Sequence, residues 1–315
     1  MQFDDLKARR SLYTPNQPDY IHRRFSKGQM KEECVGSAMC NSSFGEVLQG
    51  VRENGHKFLV NLKIKNYSRA DIRLSPTPYR VKNEHRFWKS YQLIRHILQH
   101  LGYAYNFHLE IRSNIPIGKG LSSSTADMVA SVRALENALS ISIDNEELSR
   151  MITEIEPNDG LHYPGTSFYE HTTGYLIHNF SFVPAFKIVG VDFGGEVDTL
   201  EFNRSPNGYA KEDQIAFEQA IEILAQSYMA KDPDRILEVA TQSGFLSQKV
   251  FPKPYFEDFV AFAKSFGAKG VINTHSGTYL GMVFYHAIDN YPEMCRQINR
   301  RFNNVEIDLF ETVSF

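Results

Sequence analysis

The sequence predicts a mixed α+β fold in two lobes, on three observations. At 315 residues, 42% hydrophobic and 23% charged, the chain can bury a sizeable core, and its length favours two lobes over one. Segments of alternating apolar residues and segments of helical spacing both run through it. Near residue 115, a strand pattern, a glycine-rich loop and a helix pattern follow one another directly.

Residues 1–32 read as a polar extension, with Pro15, Pro18 and the basic pairs Arg9-Arg10 and Arg23-Arg24. The first lobe is placed at 33–172 and the second at 173–315. The segment CNSSFGEVLQG (40–50) reads as turn-rich and leading into a short strand. Beyond it, Leu59, Asn61 and Lys63 alternate with Val60, Leu62 and Ile64, and Ile72 and Leu74 resume the pattern after a break, which predicts hairpin strands.

Phe87, Tyr91, Ile94, Leu98 and Leu101 have helical spacing. Phe107, Leu109 and Ile111 alternate with polar residues as in a half-buried strand. The stretch IPIGKGLSSSTADMVASV (115–132) then opens a helix that continues through Leu135 and Leu139. A second helix is predicted over Asn145–Ile155, stopping before Pro157. A β-rich run at 173–197 precedes helices near Lys211–Ala230, Pro233–Ser243 and Phe256–Phe266. VINTHSGTYLGMVFY reads as strand, PEMCRQINRRF as helix, and a last strand follows.

Composition excludes some function classes. A net charge of −3 offers no field for a nucleic acid or an anionic membrane. Acidic residues near the start argue against a secretory signal, and no window approaches the roughly 18 apolar residues of a membrane span. Cys34, Cys40 and Cys295 are odd in number and lack metal-site spacing. Cys34 and Cys40 could pair in an oxidising setting; the expectation is free thiols in the cytoplasm. A homodimer is compatible with the pattern, which does not set oligomeric state.

The hydroxyl run in 115–132 needs a reason. A helix N-terminus leaves backbone N–H groups without partners and carries partial positive charge. Preceding glycines let the loop approach a ligand, so the geometry suits phosphate. One Ser or Thr suffices as a cap. Ser122, Ser123, Ser124 and Thr125 exceed that need, and a hydroxyl helping to hold Mg²⁺ between phosphates would account for the surplus. The loop is not the Gly-x-x-x-x-Gly-Lys-(Ser/Thr) pattern, because Lys119 precedes the last glycine. Gly118 and Gly120 have no third glycine three residues on, which excludes the dinucleotide fingerprint.

Two further stretches stand beside it. In IEPNDGLHYPGTSFYEHTTG (155–174), Asp159 follows a helix end among turn residues, a platform for an exposed carboxylate or simply a turn. In INTHSGTYLGMVF (272–284), Ser276, Gly277 and Thr278 form a second small-residue loop.

Residues 116–126, PIGKGLSSSTA, resemble the central phosphate loop of the GHMP kinases, Pro-x-x-x-Gly-Leu-x-Ser-Ser-(Ala/Ser/Thr)-Ala. Gly45-Glu46 matches the Gly-Glu pair of that family's first motif, although Asn41-Ser42-Ser43 stands where Pro-Gly-Lys is usual. AKGVINTHSGTYLGMVF resembles the third motif. GEVLQG, IEPNDGLHYPG, FPKP (251–254) and THSGTYLG together resemble the L-threonine kinases of cobalamin synthesis and propanediol utilization, over about residues 40–285.

The resemblance implies a ribosomal-protein-S5-like first lobe, an antiparallel-sheet second lobe, and ATP with Mg²⁺ in the cleft between them. It implies phosphates over Pro116, Gly118, Lys119, Gly120, Leu121, Ser122, Ser123, Ser124 and Thr125. Lys119 either contacts a phosphate or points to solvent. The metal hydroxyl is that of Ser124 or Ser123, and the metal carboxylate is Glu154, with Glu156 in reserve. Asp159 matches the family's base or orienting group, with the substrate ammonium as its alternative partner. Ser43, Glu46, His162, Tyr163, Ser276, Gly277 and Thr278 are expected around the substrate, and His275 either orients its loop or packs beneath it. The expected reaction is phosphorylation of a hydroxyl acceptor, L-threonine first, with L-serine, homoserine or a secondary-metabolite precursor as alternatives. A catalytically silent ATP-binding regulator is the reading from another class.

Overall fold

The computed structural model describes residues 21–22, 33–76, 85–103, 106–195, 208–303 and 305–313. Apart from 21–22, the predicted extension 1–32 lies outside the described residues. Ile21–His22 (β1) pairs with Ser142–Ile143 (β5).

Nearly all the other strands join one antiparallel sheet. The long strands β2 (Cys34–Val51) and β3 (Lys57–Ser75) form its central hairpin. Beyond β3 lie β4 (Asn106–Ser113), paired with residues 68–75, and the hairpin β6 (Thr166–Glu170) and β7 (Tyr175–Phe180), paired at Leu59 and Val60. On the other side of β2 follow β9 (Gly270–Asn273), β10 (Tyr279–Phe284), β8 (Lys187–Asp192) and β11 (Glu306–Glu311). The β2–β9 junction is a single register pair, Glu46 opposite Asn273.

The segment expected to be turn-rich lies inside an 18-residue strand, and the expected hairpin strands of 59–74 are one 19-residue strand. Both differences have one cause. The β2–β3 register shifts three times between Asn41 and Leu48, so turn-type residues are absorbed as bulges. Gly45, at φ +52°, takes a conformation open to glycine, and a Cβ there would stand 2.7 Å from Thr274 Cα. The bulges bring Glu46 to the cleft wall, while Ser43, expected beside the substrate, is fully buried behind that wall against Ser122.

Helices cover the sheet. α1 (Trp88–His100) and α2 (Ser123–Leu139) fill the first lobe's core, α2 burying Ala126, Met128, Val129, Val132 and Leu135. α3 (Asn145–Thr153) starts at Asp144, whose carboxylate accepts from the Glu146 amide at 2.7 Å. α4 (Lys211–Ala230) and α5 (Pro233–Ser247) join the same core cluster, α5 running to 247 rather than 243. α6 (Phe256–Ser265) and α7 (Tyr291–Phe302) close a second cluster with Val189, Val191, Leu280 and Met282. Fully burying such side chains contributes about 1.5–3 kcal/mol each. The boundary expected at 172/173 falls in the turn between the paired strands β6 and β7.

Candidate active site

The site begins at the first turn of α2. Gly118 (φ 73°), Gly120 (φ 78°) and Ser122 (φ 57°) are left-handed, and Ser122 holds the N-cap position. A non-glycine residue in that conformation costs about 1–3 kcal/mol and is kept only where its surroundings enforce it. Ser122 does not cap the helix with its side chain, and no acidic residue lies in the first turn. Its hydroxyl bonds instead to Ser43 Oγ on the β2 bulge. The amides at the start of α2 therefore keep their positive end for whatever enters the cleft.

That cleft, a cavity of about 80 Å³, is lined by Gly118, residues 120–125, Glu46, residues 156–159, His171 and Ser276. Three carboxylates meet there. Asp159 Oδ2 accepts from Thr125 Oγ1 at 3.2 Å. Burial raises its pKa to about 7; Glu46 adds to the rise, and the Ser122 and Thr125 hydroxyls oppose it. Its backbone is fixed too: Asn61 Nδ2 donates to the Asp159 carbonyl at 2.8 Å. Glu156 accepts from Ser124 Oγ and pairs with Lys89 Nζ at 2.5 Å. Glu46 Oε2 accepts from the His275 amide at 3.3 Å and lies 3.1 Å from His275 Nδ1.

The third motif closes the cleft from the second lobe. A Cβ on Gly277 would stand 2.0 Å from the Lys119 carbonyl oxygen, so only glycine permits this approach. The Thr278 amide donates to that oxygen at 3.3 Å. Ser276 reaches the cleft, while Gly277 packs on the loop and Thr278 lines a separate hollow with Lys253 and Asp192. Lys253 lies half-buried beneath the motif, donating to Thr274 O at 2.6 Å and Tyr279 O at 3.2 Å. Burial lowers its pKa to about 7.

Several expected residues stand elsewhere. Glu154 pairs with Arg150 on the surface, its side chain 46% exposed, and does not line the cleft; Glu156 does. The helix ends at Thr153, and the next turn swings position 156 inward. Lys119 points neither to solvent nor into the cleft: its Nζ meets Asp192 Oδ2 at 2.7 Å. His162 and Tyr163 are buried against one another, ring centres 4.3 Å apart, outside the cleft lining. Burial drives the His162 pKa down to about 3, so its neutral ring is part of the packing. Pro116 is half-buried ahead of the loop and is not on the cleft wall. Asp159 is half-buried in the cleft wall, where an exposed carboxylate was expected.

Sequence reasoning missed Lys89, Asn61, Gln49, His171 and Asp192. Lys89, Asn61 and Asp192 come from elements remote in sequence from the motifs, so no local spacing marked them. Gln49, His171 and Lys253 lie inside the stretches GEVLQG, 155–174 and FPKP, which carried the signal without singling them out.

The donor set fits a phosphate-bound Mg²⁺ better than a metal held by protein alone. Among the described residues no group of three or more His, Cys, Asp or Glu side chains is placed to hold a metal. Mg²⁺ is commonly held by one or two carboxylates together with phosphates and water. Ser124 and Glu156, beside an uncapped helix N-terminus, supply that kind of oxygen set.

Fold and site together define a two-lobe α+β protein whose cleft is built around a helix N-terminus. Residues 88–165 match the family described as the GHMP kinases N terminal domain. Over most of its length the chain is similar to the curated L-threonine kinases of Citrobacter freundii and Salmonella typhimurium. The first is 26% identical over 82% of this chain and 91% of its own. The second is 26% identical over 81% and 84%. Among solved structures, a homoserine kinase from Cytophaga hutchinsonii superposes with a TM-score of 0.66 at 16% identity, covering 92% of this chain and 97% of that one. No helix among the described residues is long and apolar enough to cross a membrane.

Proposed function

We propose that this protein transfers the γ-phosphoryl group of ATP, with Mg²⁺, to the side-chain hydroxyl of an amino acid, L-threonine, giving O-phospho-L-threonine. One observation carries the reading: Asp159, half-buried in the cleft wall, is held by Thr125, from the first turn of the helix whose uncapped N-terminus opens on the same cleft. A base or orienting carboxylate and an anion site are thereby fixed to one rigid element, as in-line phosphoryl transfer needs. The L-threonine kinase relatives support the acceptor.

In this reading the loop 118–124 and the amides opening α2 hold the phosphates. Ser124 and Glu156 would hold Mg²⁺, whose charge would offset that developing on the phosphoryl oxygens. The proton of the acceptor hydroxyl passes to the Asp159 carboxylate as the hydroxyl oxygen bonds phosphorus and ADP departs. Glu46 and Ser276 border the acceptor.

The test is ADP release from Mg·ATP across a panel of hydroxy-amino acids, small alcohols and sugars. Turnover with L-threonine and not with L-serine or homoserine is the expected result. Turnover with another acceptor alone overturns the substrate and keeps the kinase. Nucleotide binding with no turnover on any acceptor overturns the kinase in favour of a regulator.

A further inference from the structure

The lysine inside the glycine loop is engaged in an unexpected direction. Its ammonium meets Asp192 Oδ2 at 2.7 Å and the Gly195 carbonyl at 2.9 Å, both at the end of β8 in the second lobe. Asp192 is buried at 3% exposure, and its Oδ1 accepts from the Gly194 amide at 2.9 Å, so it is itself held in place. The backbone of the same lysine is gripped from the third motif: the Thr278 amide donates to its carbonyl at 3.3 Å. Gly120 and Gly277 meet so closely that a Cβ on Gly120 would stand 2.7 Å from Gly277 Cα. Lys119 is thus held at both ends by the second lobe, while Gly118 and Gly120 on either side of it are left-handed.

We infer that Asp192 is a positioning residue of the phosphate loop: through Lys119 it straps residues 118–120 to the second lobe, and Lys119 acts as this strap and not as a phosphate ligand. The inference rests on the reading of the cleft as a nucleotide site. A buried carboxylate paired with a lysine that is only 20% exposed is a firmer link than a surface ion pair, and losing either partner leaves the other uncompensated. The strap sets where the loop amides stand relative to the start of α2. A loosened loop must be reordered when the ligand binds, and affinity falls by that amount.

Two roles for Lys119 predict opposite results. If it is a strap, Lys119→Met and Asp192→Asn weaken Mg·ADP binding by a similar factor, about 3–10-fold, and the double variant is no weaker than either single one. Lys119→Arg, keeping the charge, restores most of the affinity. If it is a phosphate ligand, Lys119→Met weakens binding while Asp192→Asn, which frees the ammonium, leaves it unchanged or tightens it; that result overturns the inference. Binding is measured by isothermal titration of the full chain. Amide exchange at 118–122 without nucleotide gives a second readout: both single variants should exchange faster there, and unchanged exchange overturns the strap. Thermal unfolding identifies a variant that fails to fold; if Asp192→Asn does, amide exchange at 118–122 in Lys119→Met without nucleotide decides, faster exchange supporting the strap and unchanged exchange overturning it. Absence of nucleotide binding by the unsubstituted protein defeats the functional reading instead.

Discussion

Thr125 Oγ1 donates to Asp159 Oδ2 at 3.2 Å, joining the first turn of α2 to the loop after Pro157. The bond ties the carboxylate proposed to receive the acceptor's proton to the element proposed to hold the phosphates. Burial that lifts the Asp159 pKa to about 7 also makes it a better proton acceptor than a surface aspartate.

Asp159→Asn is expected to lower kcat by about 10²–10⁴-fold with KM for ATP little changed. In the unsubstituted protein kcat/KM should rise with pH through about 7 as Asp159 ionises, and this limb should vanish in the variant. Stability has the opposite dependence. The folded state holds this proton more tightly than the unfolded chain, so the group's contribution is full below pH 4 or so and is lost as pH rises through 7. Without ligands, Asp159→Asn should therefore gain more in Tm over the unsubstituted protein at pH 8 than at pH 5. Equal turnover would remove Asp159 from the chemistry.

Ser124→Ala and Glu156→Gln should each raise the Mg²⁺ concentration for half-maximal ADP formation, by about 10–100-fold for the carboxylate. Glu154→Gln, on the surface with Arg150, should leave the Mg²⁺ titration where it is. The reverse order would return the metal role to Glu154.

Gly277→Ala places a methyl 2.0 Å from a backbone carbonyl oxygen, and backbone cannot step aside cheaply. Such overpacking costs about 1–3 kcal/mol. A drop in Tm of several degrees together with a raised KM for ATP is expected. Unfolding scans and ATP titrations of the one variant give both values.

Lys253 carries a pKa lowered to about 7 by burial, whereas an unfolded lysine keeps its proton to about 10.4. Unfolding takes up a proton between these limits, so this group adds stability as pH climbs from 7 towards 10. Lys253→Met also removes its hydrogen bonds to the carbonyls of Thr274 and Tyr279, which keep their other donors, at about 0.5–1.5 kcal/mol for each bond lost. Its deficit in unfolding free energy should be larger at pH 9 than at pH 6.5; a deficit independent of pH would mean the lysine is not the titrating group.

The sequence by itself determined the α2 helix, the glycine loop before it, the run Ser122–Thr125 and the stretch holding Asp159. Those signals are local: helical spacing, glycines flanking a lysine, hydroxyls at a helix start. It also determined α1, α4 and α6 to within a residue or so, because apolar periodicity over ten or more residues is hard to mistake. Tertiary structure decided which side chains face the cleft. The choice between Glu154 and Glu156 depends on how the chain turns after Thr153, and two residues of rotation send one to Arg150 and the other to Ser124. The bulges that bring Glu46 to the cleft lie where β2 pairs with β3 on one side and meets β9 at Glu46 on the other, a meeting of segments remote in sequence. Lys119 takes its direction from Asp192, 73 residues away on a strand of the other lobe, and no spacing along the chain encodes that meeting. Local pattern fixes what a segment can become; burial and partner charge, which exist only after folding, fix what each side chain does.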